Sequence, residues 1–472
     1  MFSLSFLAVA AFVLSLLLTP LLRNVFRSLG LVDRPDHRRK VHPQPIPRVG
    51  GVPIMAAYVC AFALLALMPL QGKVVIQQAW PLAWKLIPAV LVVFATGLLD
   101  DLIGLKPWEK FAGQFVGAGL ACWAGIRIYG VAVYHVNAAV GIALTILWLV
   151  ACTNAFNLID GVDGLACGVG LFATLTTLVA ALLVGHYGLA LATAPLAGAL
   201  LGFLRFNFNP ASIFLGDSGS LTVGFLLGCY AVIWSQKSAT LLGMTAPLMA
   251  LSIPLLDTAL AVVRRILRRQ PLFSGDRAHI HHKLLDRGFT PRRVALFFYG
   301  LCGLAAAFSL LQSVVSNQVA GFIVVLFCLT AWIGIQHLGY AELGVAGRLM
   351  VPGTFLRVLN AELRLRTLEQ SLADANSIQA CWEALCDACR DFGFVHVAMR
   401  LDSGGFEQLL RETDAAYWTV HVPLSESEYV TIGQEFRSGA QPLVVAPLAD
   451  VLRRTLSPKL HGPDSHVAAG AG

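Results

Sequence analysis

MFSLSFLAVAAFVLSLLLTPLL, residues 1–22, contains no charged side chain. A run of this length and apolarity spans a bilayer's hydrocarbon core as a helix. It lacks the basic leader and small-residue cleavage site of a signal peptide, so it reads as a retained first span. Ten further apolar stretches follow, near 52–70, 86–99, 112–126, 136–153, 165–184, 189–204, 212–234, 241–263, 294–311 and 319–338. The expected fold is therefore an all-α polytopic membrane protein of about eleven transmembrane helices. Composition agrees: 57% of the 472 residues are apolar and only 13% charged, about half the charged share of a soluble protein. A secreted enzyme, a nucleic-acid binder and a simple soluble α/β protein are poor fits. The ten cysteines lie mostly in apolar runs and read as small apolar fillers rather than a disulfide framework.

Charge divides the chain. Residues 1–350 carry 24 Lys+Arg and 12 Asp+Glu, whereas 351–472 carry 10 and 15. Arg34, Arg38, Arg39, Lys40 and Arg48 follow the first span, and Arg264, Arg265, Arg268, Arg269, Arg277, Lys283, Arg287, Arg292 and Arg293 follow the ninth. The alternate side has Lys73, Lys85, Arg127 and Lys237. The positive-inside rule places the first group in the cytoplasm, with the N-terminus periplasmic and the chain after 340 cytoplasmic. Alternation then brings essentially every carboxylate of residues 1–350 to that same face. A charge buried without reason in a bilayer is costly, and carboxylates placed only for solubility would fall on both faces, so this convergence reads as a site.

Four segments carry the chemistry. In GLLDDLIGLKPWEKFAGQ (97–114), Asp100 and Asp101 adjoin at a helix end; both can approach a metal, or one binds metal while the other acts as base. Lys106 and Lys110 offer positive charge to phosphate. In TNAFNLIDGVDGLACGVG (153–170), Asn154, Asn157 and Asp160 recur every third residue on one helical face, and Asp163 extends the series. In FLGDSGSLTVGF (214–225), Asp217 lies between glycines at a helix start. In VVRRILRRQPLFSGDRAHIHHKLLDRG (262–288), His279, His281 and His282 lack the spacing of a zinc helix face and sit among arginines, which favours an anion. Oxygen ligands beside a basic loop suit a Mg²⁺-dependent reaction on a diphosphate.

In this order, DDLIGL, NAFNLIDGVDGL, FLGDSGS and DRAHIHH, with DRPDHRRKVHPQPIPRVGG in the first loop, resemble the polyprenyl-phosphate N-acetylhexosamine-1-phosphate transferases over residues 1–340. The resemblance implies transfer of N-acetylhexosamine-1-phosphate, GlcNAc-1-phosphate first, from a UDP-sugar to undecaprenyl phosphate. UMP is released at the cytoplasmic face of a bacterial inner membrane, as lipid-linked glycan synthesis begins. It also implies Mg²⁺ or Mn²⁺, with Asp217 as principal metal ligand, Asp101 near the metal and Asp100 orienting or deprotonating the lipid phosphate. Asn154, Asn157, Asp160 and Asp163 would line the nucleotide and diphosphate pocket. Lys110, Arg265, Arg277, His279, His281 and His282 would contact the substrates. FucNAc, QuiNAc and GalNAc donors, as in O-antigen and lipopolysaccharide pathways, stay open. So do a homodimer, and the rival readings of a lipid-linked sugar transporter or a membrane scaffold.

Residues 341–460 read as a small cytoplasmic α/β accessory domain, similar in element order to a truncated GAF-like sensory domain, with 461–472 a disordered tail. LRVLNAELRLRTLEQSLADANS and CWEALCDACRDF are expected helices. HVAMRLD, FEQLLRET, YWTVHVPLS and YVTIGQEF alternate as antiparallel strands. PLVVAPLADVLRRTLS is expected to give a strand or turn and a closing helix. A regulatory ligand or partner for this domain is left open.

Overall fold

The computed structural model describes residues 2–33, 45–70, 72–131, 134–237, 249–267, 279–314, 317–337, 354–402, 404–412, 415–425, 427–435 and 442–461. The chain divides into two compact units, Met1–Gly339 and Tyr340–Gly472.

The first unit is helical. It comprises α1 (Phe2–Ser28), α2 (Gly51–Leu67), α3 (Gly72–Ile103), α4 (Pro107–Ala124), α5 (Ala138–Ile159), α6 (Leu165–Leu183), α7 (Tyr187–Asn207), α8 (Gly216–Lys237), α9 (Ser252–Leu267), α10 (Ile280–Asp286), α11 (Pro291–Val314) and α12 (Asn317–His337). A two-stranded ribbon, β1 (Gly130–Val131) with β2 (Tyr134–His135), precedes α5. Among the described residues, seven helices are long and apolar enough to cross a membrane (α1, α3, α5, α6, α7, α8 and α11) where the sequence suggests eleven. Three more apolar helices are shorter over the described residues, Gly51–Leu67, Ser252–Val262 and Gly321–Ala331, and α4 opens with Glu109 and Lys110 in its first turns. Leu17, Leu91, Leu147, Phe322 and Leu329 are exposed on the outside, as lipid-facing residues must be in a polytopic membrane protein.

Helix α8 is buried along most of its length. Leu221, Phe225 and Cys229 of α8 pack in one core with Ala89 and Val93 of α3, Ala118 and Ala121 of α4, and Leu149 of α5. Glycine permits the closest approaches. A Cβ on Gly51 would lie 2.3 Å from the Ser218 carbonyl carbon, and one on Gly97 would lie 2.4 Å from the Asp217 carbonyl oxygen. The ends of α2 and α3 are thereby pressed against the start of α8.

The loops at that end are also pinned together. Phe214 N donates to Pro47 O (2.9 Å), Gly50 N to Phe214 O (3.0 Å) and Gly51 N to Leu215 O (3.1 Å). The first loop thus pairs with the approach to α8, which places Arg48 beside the acidic cluster.

The second unit has α13 (Thr354–Asp374), α14 (Ile378–Asp391), β3 (His396–Leu401), β4 (Gly404–Leu409), β5 (Tyr417–Pro423), β6 (Tyr429–Glu435) and α15 (Pro442–Val451). The sheet order is β4-β3-β6-β5, every pair antiparallel. Ser377 caps α14 by accepting from Ala380 N. Trp382, Leu385 and Cys389 then pack on Val397, Met399, Val430 and Ile432. The stretch PLVVAPLADV, expected as a strand or turn before a closing helix, is helical from its start. Val444, Leu448, Val451 and Leu452 are buried, and this three-to-four-residue spacing outweighs the local β-propensity of its valines.

Candidate active site

Asp100 and Asp101 come from the last turn of α3 and Asp217 from the first turn of α8. Each offers one oxygen within 4.8 Å of the others. Lys110 reaches this cluster because Gly104, in the left-handed region at φ 72°, turns the chain. Pro107 then starts α4, and Glu109 accepts from Lys106 N (2.8 Å). One helical turn on, the Lys110 ammonium bridges Asp100 Oδ2 (2.7 Å) and Asp217 Oδ2 (2.5 Å).

Asp101 has a second task. Its Oδ1 accepts from Asp217 N (2.8 Å) and its Oδ2 from Ser218 N (2.9 Å), so it caps α8. Asp100 Oδ1 accepts from Leu105 N (2.8 Å), which fixes its carboxylate plane. Burial pushes the Arg48 guanidinium down, but Asp101, Asp217, Asp33 and Asp160 push it up by more, so it titrates above its ordinary range. Three carboxylates with two cations suit polyanion chemistry. The oxygens fit a hard divalent ion, and Lys110 and Arg48 fit phosphate oxygens.

The polar face of α5 lies beside this cluster, and its members differ in role. Asn154 pairs with Gln114 of α4, donating to Gln114 Oε1 (2.5 Å), and it also donates to Val150 O. Asn157 donates to Ser220 Oγ of α8 (3.2 Å). Asp160 ends α5. Its side chain keeps partial exposure, yet desolvation, then Asp217 and Asp101, raise its carboxyl well above the carboxylate range against the opposing pull of Arg48. Asp163 accepts from Asn209 Nδ2 (2.9 Å) and Ala211 N (3.0 Å), so it fixes the loop between α7 and α8.

The histidines are held by α9. His279 and His281 are buried, their rings stacked with centroids 5.6 Å apart, and His282 lies 4.3 Å from His281. The Nε2 of His281 packs 2.7 Å from where Gly161 would carry a Cβ, which brings this loop to the turn of Asp160. Arg265 is buried near the end of α9. Arg277 lies outside the described residues.

Burial, then the neighbouring His282 and His279, depress His281 to about 3 despite Asp257. The folded protein thus keeps His281 neutral while the unfolded chain protonates it near pH 6.5. The stability it contributes is full above about pH 6.5 and falls as pH drops toward 3. Between pH 6.5 and 5 this amounts to about 2 kcal/mol. The melting temperature should fall over that interval, and by less in His281→Asn. Equal slopes for the two proteins would contradict a buried neutral imidazole.

Arg48, Gln114 and Ser220 lie inside the quoted motifs without a site role assigned to them, and Asp257 lies outside those motifs. Gln114 is signalled by its place one turn beyond Lys110 on α4. Arg48 carries no such local signal, because the pairing of residues 47–51 with 214–215 is long-range.

Comparison with known proteins bears on this cluster directly. A family model described as glycosyl transferase family 4 matches residues 83–235, the stretch that supplies both acidic helix ends, Lys110 and the polar face of α5. The chain is 33% identical over 300 residues to the probable undecaprenyl-phosphate N-acetylglucosaminyl 1-phosphate transferase of Bacillus subtilis (strain 168), covering 62% of this chain and 81% of that protein. It is 33% identical over 333 residues to the decaprenyl-phosphate N-acetylglucosaminephosphotransferase of Mycobacterium tuberculosis (strain ATCC 25618 / H37Rv), covering 64% and 81%. It is 30% identical over 281 residues to the phospho-N-acetylmuramoyl-pentapeptide-transferase of Levilactobacillus brevis, covering 56% and 82%. The similarity reaches across most of each relative, and the family match includes the carboxylate cluster: the chain belongs to glycosyl transferase family 4.

Proposed function

We propose that this protein transfers N-acetylhexosamine-1-phosphate, GlcNAc-1-phosphate in the first instance, from a UDP-sugar to undecaprenyl phosphate, releasing UMP. The observation that carries this reading is the bridging of Asp100 and Asp217 by Lys110 beside Asp101, where carboxylates and cations alternate at one end of the helical unit. The names of the relatives support a polyprenyl phosphate acceptor. The reading includes eleven spans in a bacterial inner membrane, with the N-terminus periplasmic and both the site and residues 341–472 cytoplasmic. We read the second unit as an accessory domain of truncated GAF-like type.

Asp100, Asp101 and Asp217 would hold Mg²⁺, or Mn²⁺, whose chemistry when bound is to neutralise diphosphate charge. The Lys110 ammonium is placed to exchange a carboxylate contact for a phosphate oxygen as the donor enters. Arg48 supplies a second cation from the opposite loop. The Asn154–Gln114 pair keeps the amides oriented for a ligand, and the His279–His282 cluster offers ring nitrogens to phosphate from the turn of Asp160. A lipid phosphate oxygen attacks the sugar-bearing phosphorus and forms a new P–O bond. The bond to the phosphate of UMP breaks, and the cations stabilise the departing charge. The acceptor's second ionisation lies near pH 6, so it needs no strong base at neutral pH.

The test is UMP release by detergent-purified protein with Mg²⁺, undecaprenyl phosphate and a panel of UDP-N-acetylhexosamines and UDP-MurNAc-pentapeptide. Lipid-dependent release with UDP-GlcNAc is expected. Release with another donor alone would move the sugar assignment, and release with none, from folded protein, would overturn the reading.

A further inference from the structure

Asp257 belongs to none of the sequence motifs, yet it is almost fully buried in the middle of α9, at 1% exposure. A carboxylate in such surroundings is tolerated only where its oxygens are engaged. Its two oxygens grip the histidine segment at adjacent points. Oδ2 lies 3.0 Å from His279 Nδ1, and Oδ1 accepts from Ile280 N at 2.9 Å. The backbone contact sets the position of the segment. The side-chain contact sets the rotation of the imidazole, which is itself buried and stacked on His281. With Oδ2 as the acceptor of this contact, the ring proton sits on Nδ1. Nε2 is then the ring atom presented to a ligand.

We infer that Asp257 is a positioning residue for the transfer reaction, fixing the orientation and tautomer of His279 through its buried two-point grip so that His279 Nε2 meets the phosphate of the departing nucleotide. This rests on the proposed function. Asp257 itself touches no substrate; it acts through His279, as a carboxylate orients an imidazole in other acyl- and phosphoryl-transfer sites. Asparagine at 257 keeps the volume but offers an N–H, which lets Nδ1 accept instead and moves the ring proton to Nε2.

The experiment compares wild type, Asp257→Asn, His279→Gln and the double variant, each full-length in detergent, for UMP release and for histidine ¹⁵N NMR. For Asp257→Asn we expect kcat to fall about 10²-fold, with the donor KM changed far less. The double variant should be no slower than His279→Gln alone, and the wild-type spectrum should show a protonated Nδ1 that is lost in His279→Gln. Multiplicative losses in the double variant, an equal rise in KM, or a bare Nδ1 on His279 in wild type would each overturn the inference. Wild type inactive with every donor would instead indict the proposed function, and the NMR result would still decide the tautomer. Should Asp257→Asn fail to fold, Asp257→Glu takes its place in the cycle with the same expectation of non-multiplicative losses.

Discussion

Asp217→Asn lowers lipid-dependent transfer by about 10³-fold or more, while the variant elutes and melts as a folded protein. The expectation follows from where the side chain lies. Asp217 Oδ2 receives the Lys110 ammonium at 2.5 Å, and the carboxylate is one of three converging within 4.8 Å. Asparagine fills the same space and leaves the Asp217 backbone N–H on Asp101, so helix α8 keeps its cap. What it removes is one negative charge from the only three-carboxylate cluster among the described residues. On the proposed function the cluster would then hold a divalent cation poorly, and Lys110 would keep an ion pair with Asp100 alone. Activity should not return when Mg²⁺ is raised within the range that saturates wild type. Wild-type-like transfer by purified Asp217→Asn would remove this residue from the chemistry.

Gly216→Ala should be the most damaging glycine-to-alanine change among the described residues of the helical unit. Gly216 sits at φ 70°, and a Cβ there would lie 1.7 Å from the Arg48 carbonyl oxygen and 2.7 Å from Asp101 Oδ2. The left-handed backbone alone costs a non-glycine residue about 1–2 kcal/mol. The collision adds more, since a backbone carbonyl pinned between paired loops cannot rotate aside as a side chain can. We expect a loss of at least about 3 kcal/mol, read as a lower melting temperature, and a transfer rate near background. Gly288→Ala is the control. It shares a left-handed φ, 86°, but has nothing within 4 Å of the added methyl, so it should lose only the torsional part. Equal losses in the two variants would show that the Arg48 loop does not close on Gly216.

Much of this arrangement is legible in the sequence because its physics is local. Uninterrupted apolar runs give helices, and the polar repeat Asn154, Asn157, Asp160 marks one face of α5. Alternation of strand residues from His396 to Glu435 gives the small sheet. What escapes local reading is set by distant pairing. Asp101 looks like a simple partner of Asp100 until its oxygens are found on the backbone of Asp217 and Ser218. Asp163 continues the motif by spacing but serves the loop at Asn209 and Ala211. Arg48 and Asp257 reach their partners only through the folded contacts of residues 47–51 and of α9 with the histidine segment. At Pro442–Val451, where a strand or turn before a closing helix is expected, tertiary burial selects a helix from the start.

The most direct test of the account follows the phosphorus. UDP-GlcNAc labelled with ³²P in the sugar-bearing phosphate is incubated with purified protein, Mg²⁺ and undecaprenyl phosphate, and the organic and aqueous phases are separated. Label is expected in the lipid phase in one-to-one proportion with unlabelled UMP in the aqueous phase. Label retained on a released nucleoside diphosphate, with sugar in the lipid, would mean that the sugar moves without its phosphate and would contradict the reading of the site.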